Sequence, residues 1–232
     1  MKCLALDTSS EGCSAALWLD GRVFGRFEIA PRGHTRLLMP MVRELLAEQG
    51  LKPADLDALA FARGPGSFTG VRIATGVVQG LAWGLDIPVV PVSSLAAVAL
   101  SAIERLSVAE GDGIAVAFDA RMGEVYWGLF RNRSGLPVAV EDERVCPPDA
   151  VTLPAEDGCQ WYGAGKGWAL KDAMPAGWVN RFVGIDDTLL PAAESVVRLA
   201  IPVAERGLAV PAEQAQPKYV RDEVTWKKLP GR

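Results

Sequence analysis

One short pattern is written twice along this chain of 232 residues, and the repetition limits the folds open to it more than any other feature. The first copy reads strand, turn, strand, turn, strand: Lys2–Asp7, residues 13–19, a tight Asp20-Gly21 turn, then Arg22–Ile29. Asp-Gly between apolar runs is a strong hairpin signal, because the turn it favours matches the twist of paired strands. The second copy places strands at 114–119, 124–131 and 136–145, with turns at 120–123 and 132–135. Each copy ends its first strand on an aspartate, Asp7 before Thr8-Ser9-Ser10 and Asp119 before Ala120-Arg121-Met122.

Between the copies the period changes. From Thr35 the apolar positions Leu37, Leu38, Met41, Val42, Leu45 and Leu46 recur at helical spacing, with Gly50 as a stop. A buried-looking strand, Ala58–Ala62, leads through the loop 63–70 into a second helix ending near Leu85. A strand at 87–92 and a helix capped at Ser93 or Ser94 follow. The later region is less regular: a strand at 160–162, a glycine-rich loop at 163–167, and a helix at 192–205 interrupted at Pro202. Two three-strand units, each completed by helices, predict an α/β fold of the actin-like, sugar-kinase and heat-shock ATPase type (ribonuclease H-like), in two lobes. Residues 1–108 form the expected first lobe and 109–232 the second, with the tail returning to the first.

Gly64-Pro65-Gly66-Ser67-Phe68-Thr69-Gly70 is the most distinctive stretch. Its glycines let the backbone approach either an anion or a neighbouring segment, so a phosphate loop and a rigid turn stand level. Asp7 and Asp119 fit either a metal-bound nucleotide or the capping of the turn that follows each. Residues 163–167 are not a phosphate-binding P-loop, because Gln160 stands where the first glycine belongs and Gly167 where Ser or Thr belongs. The single histidine, His34, cannot build a two-histidine metal site. A Ser67, His34, Asp7 hydrolase lacks the nucleophile-elbow motif.

Gly76, Gly80 and Gly84 recur every fourth residue of the second helix, and mid-helix glycine costs about 1 kcal/mol relative to alanine. Close approach of another helix is the usual compensation. That neighbour is the chain's own first helix or a helix of a partner, and the reading adopted here takes both together.

The net charge of -4 repels nucleic acid overall, although Lys218, Arg221, Lys227, Lys228 and Arg232 gather at the end. That cluster suits a local nucleic-acid contact or a solvated terminus. Four cysteines without a CxxC pair predict reduced, packed thiols. The opening residues lack a signal-peptide pattern and no apolar run is long enough for a bilayer, so a cytoplasmic protein without a membrane segment is expected.

The chain resembles the TsaB (YeaZ) family over essentially its full length. The resemblance is carried by Leu4-Ala5-Leu6-Asp7-Thr8, His34-Thr35 with Leu38, Pro40 and Met41, the block from Arg63 to Arg72, the run from Asp119 to Trp127, and the end from Trp226 to Gly231. It implies a degenerate, non-catalytic paralogue of TsaD, the subunit that performs carbamoyl transfer. By that resemblance the chain forms a homodimer alone, pairs with TsaD through the same surface, and is joined by TsaE. The complex makes threonylcarbamoyladenosine beside the anticodon of tRNAs reading codons that begin with A, so tRNA is met indirectly. No tightly bound cofactor is implied, only ATP or ADP at the junction with TsaD and TsaE. The expected partner interface is His34, Leu37, Leu38, Met41, Leu45, Arg72, Gly76, Gly80, Trp83 and Gly84. Vestigial nucleotide-site positions are Asp7, Thr8, Ser9, Gly64, Gly66, Ser67, Asp119 and Arg121, with no metal ligand. Two other readings compete: a nucleotide-dependent enzyme using the cleft between lobes, and a peptidase, whose metal ligands the sequence does not supply.

Overall fold

The computed structural model describes residues 1–154 and 158–221. The tail cations Lys227, Lys228 and Arg232 and the run from Trp226 to Gly231 lie outside the described residues. Eleven strands and four α-helices occupy the rest: β1 (Lys2–Asp7), β2 (Gly12–Leu19), β3 (Arg22–Ile29), α1 (His34–Glu48), β4 (Ala58–Ala62), α2 (Phe68–Leu85), β5 (Val89–Val92), α3 (Ser94–Arg105), β6 (Gly113–Arg121), β7 (Glu124–Arg133), β8 (Leu136–Ala139), β9 (Arg144–Cys146), β10 (Trp161–Ala164), β11 (Phe182–Asp186) and α4 (Ala193–Glu205).

The repeat read from the sequence is a repeat of topology. The first sheet has order β3-β2-β1-β4-β5 and the second β8-β7-β6-β10-β11, so β6 takes the place of β1, β7 that of β2, and β10 that of β4. In both, the first three strands are antiparallel and the last two join in parallel. This is the actin-like α/β architecture that the double pattern predicts.

Residue alternation explains how two helical layers fit on the first sheet. Leu4 and Leu6 of β1 and Leu59 and Phe61 of β4 point into a core with Leu38, Met41 and Leu45 of α1 and Ala74 and Val78 of α2. Cys3 and Ala5, with Ala58, Ala60 and Ala62, face the opposite way, against Val196, Val197 and Ala200 of α4. Small side chains on that face let α4 sit close, and period-two alternation sends the large ones to the other side.

In the second sheet Ile114, Val116 and Phe118 pack on Leu95, Val98 and Ala102 of α3. The outer face is covered by Trp127, Trp161, Trp168 and Trp178. Trp168 meets Phe182 edge-on at 4.6 Å, and its indole N–H donates to the Ala115 carbonyl at 3.0 Å. Trp127 and Trp161 rise from the sheet itself and Trp168 and Trp178 are brought onto it by the 3-10 segments that follow β10, so aromatic rings do there what α1 and α2 do for the first sheet.

Three expectations change. The boundary at 108 places α3 in the first lobe and α4 in the second, yet α3 packs on the second sheet and α4 on the first. The two helices touch between the sheets, with the Ser101 and Ser195 hydroxyls 2.8 Å apart and an Arg198–Glu104 ion pair. Each helix follows the larger apolar surface available to it, which sequence order does not reveal. Pro202 does not interrupt α4: it lies in the last turns, and the helix continues to Glu205 at the cost of one bond to the Arg198 carbonyl. The strand expected at 136–145 is two strands that pair with different stretches of β7. Residues 209–221 return to the first lobe, with Val210 bridging Val89 and the Lys218 amide bonded to the Arg63 carbonyl. Among the described residues no helix is long and apolar enough to cross a membrane.

The glycines of α2 divide sharply in their surroundings. A Cβ on Gly70 would lie 1.9 Å from the Thr8 carbonyl oxygen, whereas one on Gly76 meets nothing within 4 Å. Gly70→Ala is therefore expected to lower the unfolding free energy by about 2–3 kcal/mol, and Gly76→Ala to raise it by roughly 0.5–1 kcal/mol. Urea unfolding of the two variants beside the parent checks both signs.

Candidate functional site

The residues singled out by the sequence gather at two places: where the end of β1 meets the loop 63–70, and on the outer side of α2. At the first, two backbones are pressed together. The Thr8 hydroxyl donates to the Gly70 carbonyl at 2.6 Å and the Ser67 amide to the Ser9 carbonyl at 2.7 Å. A Cβ on Gly66 would stand 2.3 Å from that Ser9 oxygen. Gly64 adopts φ +98°, and its carbonyl accepts from the Ser94 amide at 3.0 Å. Ser67 caps α2 by accepting from the Gly70 amide at 3.3 Å. Of the two uses left open for these glycines, the contacts here are those of a rigid turn fitted against its neighbour.

Asp7 is fully buried in this junction. One carboxylate oxygen accepts from the Ser9 amide at 2.9 Å, while Oδ2 has no hydrogen-bond partner. Burial pushes the carboxyl up to about 6, against the lowering pull of Ser9 and of the nearby His34. The His34 ring is itself buried, with Nε2 3.0 Å from the Ser10 carbonyl. Asp119 behaves differently at the equivalent strand end. It is exposed, accepts from the Arg121 amide at 2.7 Å, and pairs with the Arg121 guanidinium at 3.2 Å, while Arg121 sits at φ +66°. Both aspartates cap their own turns. Among the described residues no group of three or more His, Cys, Asp or Glu is placed to hold a metal ion.

The outer side of α2 is open. Arg72, Gly76, Gly80, Trp83 and Gly84 are exposed, Trp83 by 74%, and Gly80 and Gly84, like Gly76, have open space where a Cβ would stand. The chain's own first helix therefore does not fill this groove. Its second wall is the C-terminal segment, in which Ala212, Glu213 and Gln216 line it and Gln79 donates to the Ala215 carbonyl at 2.9 Å. Hollows of about 430 and 520 Å³ lie on either side of Trp83. At the N-terminal end of the helix the Arg72 guanidinium stacks on the Phe68 ring at 3.8 Å, and its Nε donates to the Tyr219 hydroxyl at 2.7 Å.

Compared with known proteins, the chain is 42% identical over 236 residues to the tRNA threonylcarbamoyladenosine biosynthesis protein TsaB of Escherichia coli (strain K12), covering 100% of both. It belongs to the TsaB family. The TsaB of Haemophilus influenzae is 40% identical, over 99% of this chain and 97% of its own. The solved structure of YeaZ from Pseudomonas aeruginosa superposes with a TM-score of 0.88 at 47% identity, covering 94% of this chain and 99% of that one. Residues 28–220 also match the family model described as TsaD, tRNA N6-adenosine threonylcarbamoyltransferase, so the TsaB family is here a paralogue of that transferase.

The expected interface set divides once placed in three dimensions. Leu38 (1% exposed), Met41, Leu45 and His34 are buried in the chain's own core, and Leu37 is half-buried against it. They do not belong to the open face, because the single apolar stripe of α1 is consumed in covering β2 and β3. The α2 members all remain on it. Phe68, Gln79, Glu213, Gln216 and Tyr219 also shape the face and were not foreseen. Phe68 carries a readable signal, lying one turn before Arg72. Tyr219, 147 residues from Arg72, carries none.

The folded state holds the Asp7 proton more tightly than the unfolded chain, whose ordinary value is 3.8. Stability from the neutral carboxyl is complete below about pH 4, is lost as pH rises towards 6, and stays lost above, a change of roughly 3 kcal/mol. Asp7→Asn keeps the acceptor for the Ser9 amide without the buried charge. Thermal unfolding from pH 4 to 8 is expected to show this decline in the parent only, with the variant the more stable at pH 8.

Proposed function

We propose that the chain is a non-catalytic subunit that binds and supports a TsaD-type threonylcarbamoyltransferase, with TsaE, in forming threonylcarbamoyladenosine beside the anticodon of tRNAs reading codons that begin with A. The observation that carries this reading is the open outer side of α2. Three exposed glycines, an exposed tryptophan and two hollows form a surface shaped for another helix, and nothing among the described residues fills it. Exposed apolar ground of this kind on a globular protein marks an interaction site. The relatives named as biosynthesis proteins of this modification, and the match to the transferase model, support the pathway. Family membership supports a homodimer through the same face when the partner is absent, with tRNA contacted through the assembly and ATP or ADP held at its junction.

The state of the junction around Asp7 supports a role without chemistry. The Ser67 amide is bonded to the Ser9 carbonyl, and the Arg63, Gly64 and Gly70 carbonyls accept from Lys218, Ser94 and Thr8, which supports a loop used for internal packing. The unpartnered Asp7 Oδ2 is the one feature favouring a nucleotide-dependent enzyme. That reading requires the purified chain alone to hydrolyse ATP and to lose the activity on Asp7→Ala.

The test of the partner role is co-purification with the TsaD-type subunit of the same cell, comparing the parent with Gly80→Leu. Stoichiometric capture by the parent, and loss of at least tenfold in affinity by a variant that unfolds at the parent's temperature, is the expected result. Failure of the parent to bind would remove the proposal.

A further inference from the structure

Segment 209–221 is fastened to both sheets along its length. Its first half belongs to the first sheet: Val210 bridges Val89 of β5, and the Ala215 carbonyl accepts from Gln79 of α2 at 2.9 Å. Ala212, Glu213 and Gln216 form one wall of the hollow whose other wall is Gly76, Gly80 and Trp83. Further on, the Lys218 amide is bonded to the Arg63 carbonyl at 2.8 Å, and the Lys218 carbonyl oxygen would stand 3.0 Å from a Cβ on Gly64. The segment is thus pressed against the loop that starts α2. Tyr219 then turns onto α2, its hydroxyl accepting from Arg72 Nε at 2.7 Å and its ring 5.6 Å from that of Phe68.

The same few residues reach the second sheet. Lys218 Nζ lies 3.6 Å from Oε2 of Glu143, a side chain only 8% exposed whose other oxygen accepts from the Ser93 hydroxyl at the cap of α3. Arg221 pairs with Glu124 of β7 and donates to the Ala120 carbonyl at 3.2 Å, so it grips the turn between β6 and β7 on both sides. Tyr219 on α2 and Arg221 on that turn are two residues apart, a span of about 7 Å at full extension. There is no slack between the two attachments. The sheets also meet where Lys166, just after β10, pairs with Glu11 in the turn between β1 and β2. Among the described residues neither side chain of that pair is bonded to segment 209–221. A hinge motion that parts Lys166 from Glu11 and carries the turn away from α2 must therefore pull Tyr219 off Arg72 or Arg221 off Glu124.

We propose that segment 209–221 is a strap that couples the angle between the two sheets to the shape of the α2 face. With Glu11 and Lys166 paired, the strap is seated: Tyr219 fixes Arg72 and residues 212–216 wall the groove. When that pair parts, Arg221 is drawn away with its turn, Tyr219 leaves Arg72, and the wall loosens. The face is in its binding form only while the sheets are closed, and by linkage a bound partner holds them closed. This regulation rests on the partner-binding reading of the α2 face and adds what controls it. Tyr219 is a positioning residue, acting through Arg72, and Arg221 and Lys218 are the points at which the second sheet takes hold of it.

The test opens the sheets without touching the strap. Lys166→Glu sets two carboxylates against each other, and Glu11→Lys combined with Lys166→Glu reverses the pair and restores attraction. The chain has three tyrosines, so labelling with 3-fluorotyrosine, with Tyr219→Phe for assignment, isolates the Tyr219 fluorine signal. In Lys166→Glu that signal is expected to move towards its position in Arg221→Ala, where the strap is cut from the second sheet directly. Affinity for the TsaD-type subunit is expected to fall about fivefold or more in both variants. The reversed pair is expected to return signal and affinity to the parent's values, and Lys166→Glu to add nothing in the Arg221→Ala background. Each variant is first checked for cooperative unfolding like the parent's. A Tyr219 signal in Lys166→Glu that matches the parent's overturns the coupling, and so does a signal that moves while affinity stays constant. In either case capture of the TsaD-type subunit by the parent leaves the reading of the face standing. A parent that captures none overturns that reading, and the strap's role in binding falls with it.

Discussion

Two backbone approaches, Gly70 onto the Thr8 carbonyl and Gly66 onto the Ser9 carbonyl, set the frame on which everything else in the first lobe hangs. No side chain fits between these strands of backbone, so only glycine allows α2 to start where it does. From that fixed start, the Ser67 cap and the Thr8 hydroxyl bond orient the helix, and its inner residues Val71, Ala74 and Val78 reach the core. The outer side of α2 is then left facing away from the sheet. The same junction buries Asp7, and the raised carboxyl is a consequence of that packing.

The two lobes solve one problem in two ways. Each five-strand order needs cover on both faces, and the inner faces share it, with α4 on one sheet, α3 on the other, and the helices in contact. On the outer faces they differ. The second sheet closes itself with a cluster of indole rings, which pack at high density in little chain length. The first carries two full helices, and a helix has a second side. On α1 that side is charged and solvated, with Glu44 and Glu48 paired to Arg26. On α2 it holds three glycines and a tryptophan. Those four positions are the ground on which the partner-binding proposal stands.

Placement in the TsaB family, with a transferase-family model spanning residues 28–220, agrees with this division. The shared topology preserves both strand-end aspartates, yet each is now engaged by its own turn. The loop 63–70 is bonded to Thr8, Ser9, Ser94 and Lys218. Architecture of this kind does not by itself fix a function.

By itself the sequence determined the twin pattern, the helical stretches, the Asp-Gly turn and the glycine spacing, because each is a local signal: a hairpin, a period, a cap or a backbone without Cβ acts within a few residues. It also placed the α2 half of the candidate face by number. Tertiary structure alone decided that the apolar stripe of α1 turns inward, since periodicity shows that a face is apolar and not which surface will cover it. The crossing of α3 and α4 to opposite sheets, the entry of Tyr219 onto Arg72, and the division of the α2 glycines into fitted and bare likewise had no local signature. Those depend on which distant segments compete for the same buried area, and that competition is settled only when the whole chain has packed.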